Sequence, residues 1–91
     1  MHAVVVNVTI NDGPTATTML REQVVPRVKE APGLVAAYWA RGDGGKGGSM
    51  IVFDSEENAQ AAAEMIQQGP PADSDAVTMD SVEVREVVEH L

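Results

Sequence analysis

The order in which strand-like and helix-like segments follow one another constrains the fold of this chain most strongly. Short segments rich in β-branched or alternating apolar residues occur at 3–10, 34–41, 49–54 and 77–88. Helical repeats, with apolar residues three or four positions apart, occur at 15–30 and after residue 54. The sequence therefore predicts one α+β domain over residues 1–91, of the ferredoxin-like β-α-β-β-α-β class. Its sheet should be four-stranded and antiparallel, in the strand order 4-1-3-2, with both helices on one face.

The first predicted helix has a regular apolar stripe but contains a proline. Leu20, Val24 and Val28 repeat at every fourth position, which puts them on one face. Thr15 is the predicted N-cap residue. Pro26 should kink or divide the helix, because proline lacks an N–H and crowds the preceding turn.

The second predicted helix is rich in alanine. Asp54 should cap its start, with Glu57 as the reciprocal partner three residues later. Its apolar stripe should consist of Ala59, Ala62, Ala63 and Ile66. The Gly-Pro-Pro segment at 69–71 should end it, followed by a polar loop at 72–75. The glycine-rich segment 42–48 is predicted to be the hairpin loop between the second and third strands.

The charge and composition of the chain argue against several classes of function. A net charge of −8 repels phosphate backbones and anionic lipids, so we expect neither a nucleic acid nor a membrane as partner. Cysteine is absent, which excludes disulfides and thiolate metal sites. His2, Glu89 and His90 could approach one another, but chain ends fray, so we expect no metal site and no cofactor. No cationic leader and no apolar run of about 20 residues is present, which predicts a cytoplasmic protein.

One face of the predicted sheet should be left without helices. The even-numbered residues of the first strand are all apolar and should pack on the helices, which leaves Val5, Asn7 and Thr9 on the open face. On the second strand, the alternation that includes Arg41 is assigned to the open face, and it also contains Ala37 and Trp39. On the fourth strand the open face should carry Glu83, Arg85, Val87 and Glu89, whereas both faces of the third strand are largely apolar.

The alternation also suggests how the first and fourth strands pair. A register that joins Asn7 to Arg85 also joins Thr9 to Glu83, but it turns Glu86 towards the core, so a bulge is expected near Glu86. The open face would be a sizeable apolar patch if it were bare. A second copy of the same face is the simplest cover, so the chain is predicted to form a homodimer.

The chain resembles the dimeric α+β barrel superfamily, in particular its antibiotic-biosynthesis-monooxygenase-type and stress-responsive members. The resemblance rests on segments that span nearly the whole chain: Val25-Pro26, the segment 31–35 (APGLV), Tyr38-Trp39, the segment 51–59 (IVFDSEENA) and the final 82–88 (VEVREVV). It implies a homodimer in which two sheets face each other. Some members of this superfamily oxidise aromatic polyketides without metal or flavin, and others degrade haem. An Asn on the first strand and a Trp on the second are implicated in the oxidising members, and Asn7 and Trp39 match these positions approximately.

Asn7 and Trp39 are accordingly the predicted catalytic residues, and Val5, Thr9, Trp39 and Arg85 are the predicted ligand-binding residues. The amide of Asn7 could hydrogen-bond a substrate oxygen, or it could be a cross-strand amide on a half-exposed face. Trp39 could be the wall of an apolar pocket or part of the dimer interface. The leading hypothesis is a homodimer that binds a small apolar or aromatic metabolite and acts as a cofactor-independent monooxygenase-like enzyme. The alternative is a non-enzymatic dimeric binding or interaction domain.

Overall fold

The observed elements follow the predicted order of strands and helices. The structure is a computed structural model and describes residues 1–67 and 77–91. The strands are β1 (His2–Ile10), β2 (Leu34–Arg41), β3 (Lys46–Phe53) and β4 (Val77–Glu86), and the helical segments are α1 (Gly13–Met19), a π-helical turn (Leu20–Val24), α2 (Val25–Lys29) and α3 (Glu56–Gln67). The sheet is antiparallel in the order β2-β3-β1-β4, which confirms the predicted ferredoxin-like α+β class. The predicted helix stop at 69–71 and the loop at 72–75 lie outside the described residues.

The first helix runs without interruption over residues 13–29, and a π-helical turn stands immediately before α2, which contains Pro26. The backbone N–H of Val25 donates to the carbonyl of Leu20, an i to i+5 bond that makes the intervening turn a π-helix. Pro26 is the second residue of α2, and its ring removes one backbone donor from the continuing helix. We refer to α1, the π-helical turn and α2 together (residues 13–29) as the split helix.

Both predicted N-cap residues are wrong, by three residues and by one. Asp12 caps α1, because its Oδ1 accepts from the backbone N–H of Thr15 at 3.2 Å, so Thr15 lies inside the first turn. Ser55 caps α3 through an Oγ that accepts from the N–H of Asn58 at 3.2 Å. Asp54 precedes the cap because its own N–H donates to the carbonyl of Gly33 at 2.9 Å, which ties it to the turn before β2.

The alanine stripe of α3 lets this helix pack closely on the sheet. Ala59 is fully buried and Ala63 nearly so, and both belong to one buried cluster with Val4, Val6, Ile51 and Phe53. Ala62 and Ile66 pack against the same cluster, which confirms the predicted stripe. Because alanine side chains are short, α3 lies against β1, β3 and β4. The split helix carries longer side chains and is separated from the sheet by a cleft.

The cross-strand register assigns each residue to one face of the sheet. Trp39 lies opposite Ser49, which lies opposite Val6, and Val6 belongs to the buried cluster under the helices. Trp39 is therefore on the helix face, together with Ala37 and Arg41, and the prediction that these three lie on the open face is wrong. The cause is an irregularity in β2 between Leu34 and Ala36, where Val35 is an extra residue. This bulge allows both Leu34 and Trp39 to face the helices.

The pairing of β4 with β1 differs from the predicted register by four residues at Asn7 and by five at Thr9, which lies opposite Thr78. Asn7 lies opposite Ser81 instead of Arg85, and Val5 lies opposite Glu83. The shift by four leaves residues 81–86 on their predicted faces, so the hydrophobic pattern alone could not exclude it. The irregularity lies at Asp80, opposite the step from Asn7 to Val8, and not near Glu86. Glu86 is exposed as the last residue of β4.

The turn before β2 depends on a glycine, which gives a stability prediction. Gly33 has a φ of +76°, and a Cβ there would collide with the side chains of Asn58 and Asp54. Gly44 has a similar φ of +70°, but a Cβ there meets nothing within 4 Å. Gly33→Ala should therefore lower the free energy of unfolding by roughly 1–3 kcal/mol more than Gly44→Ala, since both bear backbone strain but only one also has the collision. Urea denaturation of the two variants measures the difference, and equal losses would contradict it.

Candidate functional site

The cleft between the split helix and the helix face of the sheet has a volume of about 540 Å³. This lies within the range of small-molecule sites, which is roughly 300–1,000 Å³. Its walls are mostly apolar. The sheet contributes Val6, Val8, Ile10, Ile51 and Phe53, the split helix contributes Met19, Leu20, Val24 and Val28, and α3 and β4 contribute Ala62, Met65, Ile66, Val77 and Met79.

A glycine keeps the sheet side of the cleft open. Gly47 lies on β3 on the helix face, and a Cβ at this position would lie 2.9 Å from Cδ1 of Ile10 and 3.3 Å from Cγ2 of Val8. A larger residue at 47 would therefore project into the cleft. The next helix-face residue of β3 is Ser49, which is also small. Small side chains at these neighbouring positions account for part of the free volume in front of the sheet.

Trp39 supplies the aromatic surface of the cleft. Its side chain is half-buried beside Ser49, on the strand at the edge of the sheet. In the described part of the chain, neither the indole N–H nor the Ser49 hydroxyl has a hydrogen-bond partner. The cleft therefore offers a flat apolar surface together with a free donor.

Three arginines also line the cleft, namely Arg21, Arg27 and Arg41. Nη2 of Arg41 donates to Oγ1 of Thr17 at 2.6 Å, and that hydroxyl in turn donates to the carbonyl of Gly13 at 3.0 Å. This bond joins the end of β2 to α1. Apart from these guanidinium groups, the described lining contains no ionisable side chain. The polar groups of the cleft are thus mainly hydrogen-bond donors.

The other predicted site residues lie on the open face, away from the cleft. Asn7 Nδ2 donates to Ser81 Oγ at 3.0 Å, and Thr9 Oγ1 donates to Asp80 Oδ2 at 2.7 Å. Arg85 pairs with Glu83 two residues away on the same strand, and Val5 lies between Met50 and Glu83.

The sheet therefore separates the two predicted catalytic residues. Asn7 lies on the open face and Trp39 on the helix face, so the prediction that both lie on the open face is wrong for Trp39. Their roles in catalysis and binding stay predictions. Sequence reasoning did not identify the arginines of the split helix or Gly47. Two features of the sequence could have indicated them: the arginines lie next to the apolar stripe of the first helix, and Gly47 lies near the end of the glycine-rich segment.

The terminal residues with metal-binding side chains do not form a cluster with one another. His2 lies near the start of α3, with its Nε2 3.4 Å from Glu56 Oε2, and its Nδ1 is buried without a hydrogen-bond partner. His90 is exposed in the C-terminal tail. Across residues 1–67 and 77–91, no group of three His, Cys, Asp or Glu side chains is arranged to hold a metal ion. In the same residues, no helix has the length and apolar character needed to cross a bilayer.

Comparison with solved structures identifies proteins that share this architecture. A variant of MhuD with two manganese protoporphyrin IX molecules per active site superposes with a TM-score of 0.69 at 16% identity, over 100% of this chain and 98% of that one. The haem-degrading MhuD of Mycobacterium tuberculosis, with two haems in its active site, gives 0.58 at 23% identity, over 97% and 98% of the two chains. A monooxygenase from the ActVA-Orf6 gene of Streptomyces coelicolor, in complex with nanaomycin D, gives 0.59 at 14% identity, over 99% and 89%.

This is the fold of the antibiotic-biosynthesis monooxygenases. The resemblance predicted from the sequence is confirmed at the level of fold. No family model matches the chain, and a search of curated proteins gives no significant match. At identities of 14–23%, the likeness concerns the architecture and leaves the ligand and the reaction open.

Proposed function

We propose that this protein binds a small, flat, mostly apolar or aromatic metabolite in the cleft between the split helix and the sheet, and acts on it as a monooxygenase-like homodimer. The observation that carries the proposal is the cleft itself, about 540 Å³ in volume, with apolar walls and with Trp39 on its sheet side. Proteins that share the fold are a haem degrader and a monooxygenase that binds nanaomycin D. The ligands named for these proteins, haem and nanaomycin D, support a ring-containing ligand for this cleft.

Trp39 is the proposed ligand contact. Asn7 is proposed to have a separate role on the other face of the sheet, where it joins two strands. The indole can stack on an aromatic ring, and its free N–H can donate to a carbonyl oxygen of the ligand. Asn7 instead joins β1 to β4 through Ser81. Thr9 and Arg85 likewise form hydrogen bonds or ion pairs on the open face. Asn7 and Trp39 therefore have separate proposed roles, on opposite faces of the sheet.

Quenching of the single tryptophan by an aromatic quinone tests the binding site. Menadione should quench Trp39 fluorescence saturably. Gly47→Leu should weaken binding about tenfold or more, since a leucine here would displace ligand contacts worth roughly 55 Å² of apolar surface at ~25 cal/mol/Å².

Two control variants determine which face binds the probe. Met50→Leu puts the same side chain on the opposite face of the same strand and should leave the affinity unchanged. Asn7→Ala should also leave it unchanged. If Asn7→Ala weakens binding while Gly47→Leu does not, the ligand binds the open face and the cleft assignment is wrong.

The alternative function, a binding domain without catalysis, is favoured by one feature of the cleft. Its described lining contains no carboxylate or imidazole that could take a proton from a substrate. Oxygen uptake distinguishes the two functions, using anthrone as substrate, because anthrone and O₂ give anthraquinone and water without a further reductant. An enzyme should consume oxygen faster than buffer does, and Gly47→Leu should abolish the excess. Binding without excess uptake favours the alternative.

The proposed homodimer uses the open face of the sheet. Tyr38, Met50 and Val5 lie side by side on β2, β3 and β1, and together form an apolar row across this face. Tyr38 is 65% exposed and Met50 46% exposed, which is unusual for large apolar side chains in neighbouring positions. Glu83 continues the row on β4 and gives it a polar rim.

Sedimentation at micromolar concentration tests the dimer. The chain should sediment with twice the monomer mass, and Tyr38→Arg should shift it to the monomer, because an unpaired charge would be buried in the interface. Gln60→Arg adds the same charge on the exposed side of α3 and should leave the dimer intact. A wild-type chain that sediments as a monomer would contradict the proposal.

A further inference from the structure

The cleft collects most of the arginines of an otherwise acidic chain. The sequence has 14 Asp and Glu against six Lys and Arg, and only four of these six are arginines. Arg21, Arg27 and Arg41 line the cleft. The apolar cavity of a protein with a net charge of −8 thus has a cationic wall.

The arginines of the cleft differ from the cations on the open face in having no acidic partner. Arg85 pairs with Glu83, and Lys46 Nζ lies 3.9 Å from Asp80 Oδ2. Within the described residues, no carboxylate forms an ion pair with Arg21, Arg27 or Arg41. The remaining cation, Lys29, lies at the end of α2 and does not line the cleft. The unpaired positive charge is therefore concentrated at the candidate ligand site.

Arg41 and Arg21 both line the cleft, from different elements. Arg41 extends from the end of β2 and donates to Thr17 Oγ1 at 2.6 Å. Arg21 follows Thr17 by four residues, about one helical turn, and lines the same cleft. A guanidinium has five N–H donors, and this bond to Thr17 uses one of those on Arg41. An anion bound in the cleft would be attracted by both guanidinium groups.

We propose that the ligand of the cleft is an apolar, ring-containing carboxylic acid whose carboxylate binds Arg41 and Arg21 beside Thr17. The proposal rests on the function proposed above and specifies its ligand class. A carboxylate matches the planar fork of a guanidinium and can accept two parallel hydrogen bonds from it. The rings would lie on the apolar floor near Trp39, which is two residues from Arg41 on the same face of β2. Arg27 lines the same wall farther along the split helix and adds to the positive potential.

A pair of two-ring probes that differ in charge tests this ligand class. By calorimetry at low salt, 2-naphthoate should bind about tenfold or more tightly than the nearly isosteric neutral 2-naphthamide, because only the former makes charge-assisted hydrogen bonds. Arg41→Gln and Arg21→Gln should each reduce the affinity for naphthoate about tenfold and leave the affinity for naphthamide unchanged. Arg21 has no hydrogen bond or ion pair in the described residues, so its variant tests the site without loss of a structural contact.

Arg85→Gln is the matched control, because it removes the same charge from the open face. It should leave the affinity for naphthoate unchanged. Equal affinity for both probes would overturn the carboxylate proposal and leave the cleft as a binding site. A loss with Arg85→Gln as large as that with Arg41→Gln would also overturn it, because overall charge and not a local site would then account for the preference. Failure of both probes to bind would overturn the proposed function together with this proposal.

Discussion

The close packing of α3 on the sheet is the contact on which the remaining architecture depends. Ala59 and Ala63 are buried against Val4 and Phe53, and their short side chains bring the helix axis near the strands. The split helix covers the rest of the same face with leucine, valine and methionine side chains and with arginines. In the helical layer, α3 lies close to the sheet and the split helix lies farther from it, which leaves space between the split helix and the sheet. The cleft is the consequence of this asymmetry.

The π-helical turn within the first helix helps to determine what lines that space. Pro26 cannot donate a backbone hydrogen bond, and the π-helical turn before it absorbs one additional residue into the helix. Arg21 and Val24 belong to this turn, and both line the cleft. An apolar wall and a cationic wall therefore come from one segment. Functional sites often contain such π-helical turns, and here the turn forms part of the wall of the proposed site.

The element order and the alanine stripe could be predicted, because both depend on local periodicity. The face of the sheet on which Trp39 lies could not be predicted. It depends on a bulge at Val35, which inverts the alternation of side chains within β2. Arg41 misled the assignment, because a charged residue at a strand end suggests solvent, yet its guanidinium binds Thr17 across the layers. The register of β4 failed for a different reason, since the shift by four residues over 81–86 preserves the predicted faces there, and the alternation did not reveal the bulge at Asp80.

The central claim is that ligand binds on the helix face of the sheet beside Trp39. Trp39 is the only tryptophan, so its indole N–H gives a single side-chain signal in a nitrogen-15 correlation spectrum. On titration with 2-naphthoate, we expect this signal to shift saturably, while the side-chain amide of Asn7, on the opposite face, stays in place. A saturable shift of the Asn7 amide with an unchanged indole signal would contradict the account.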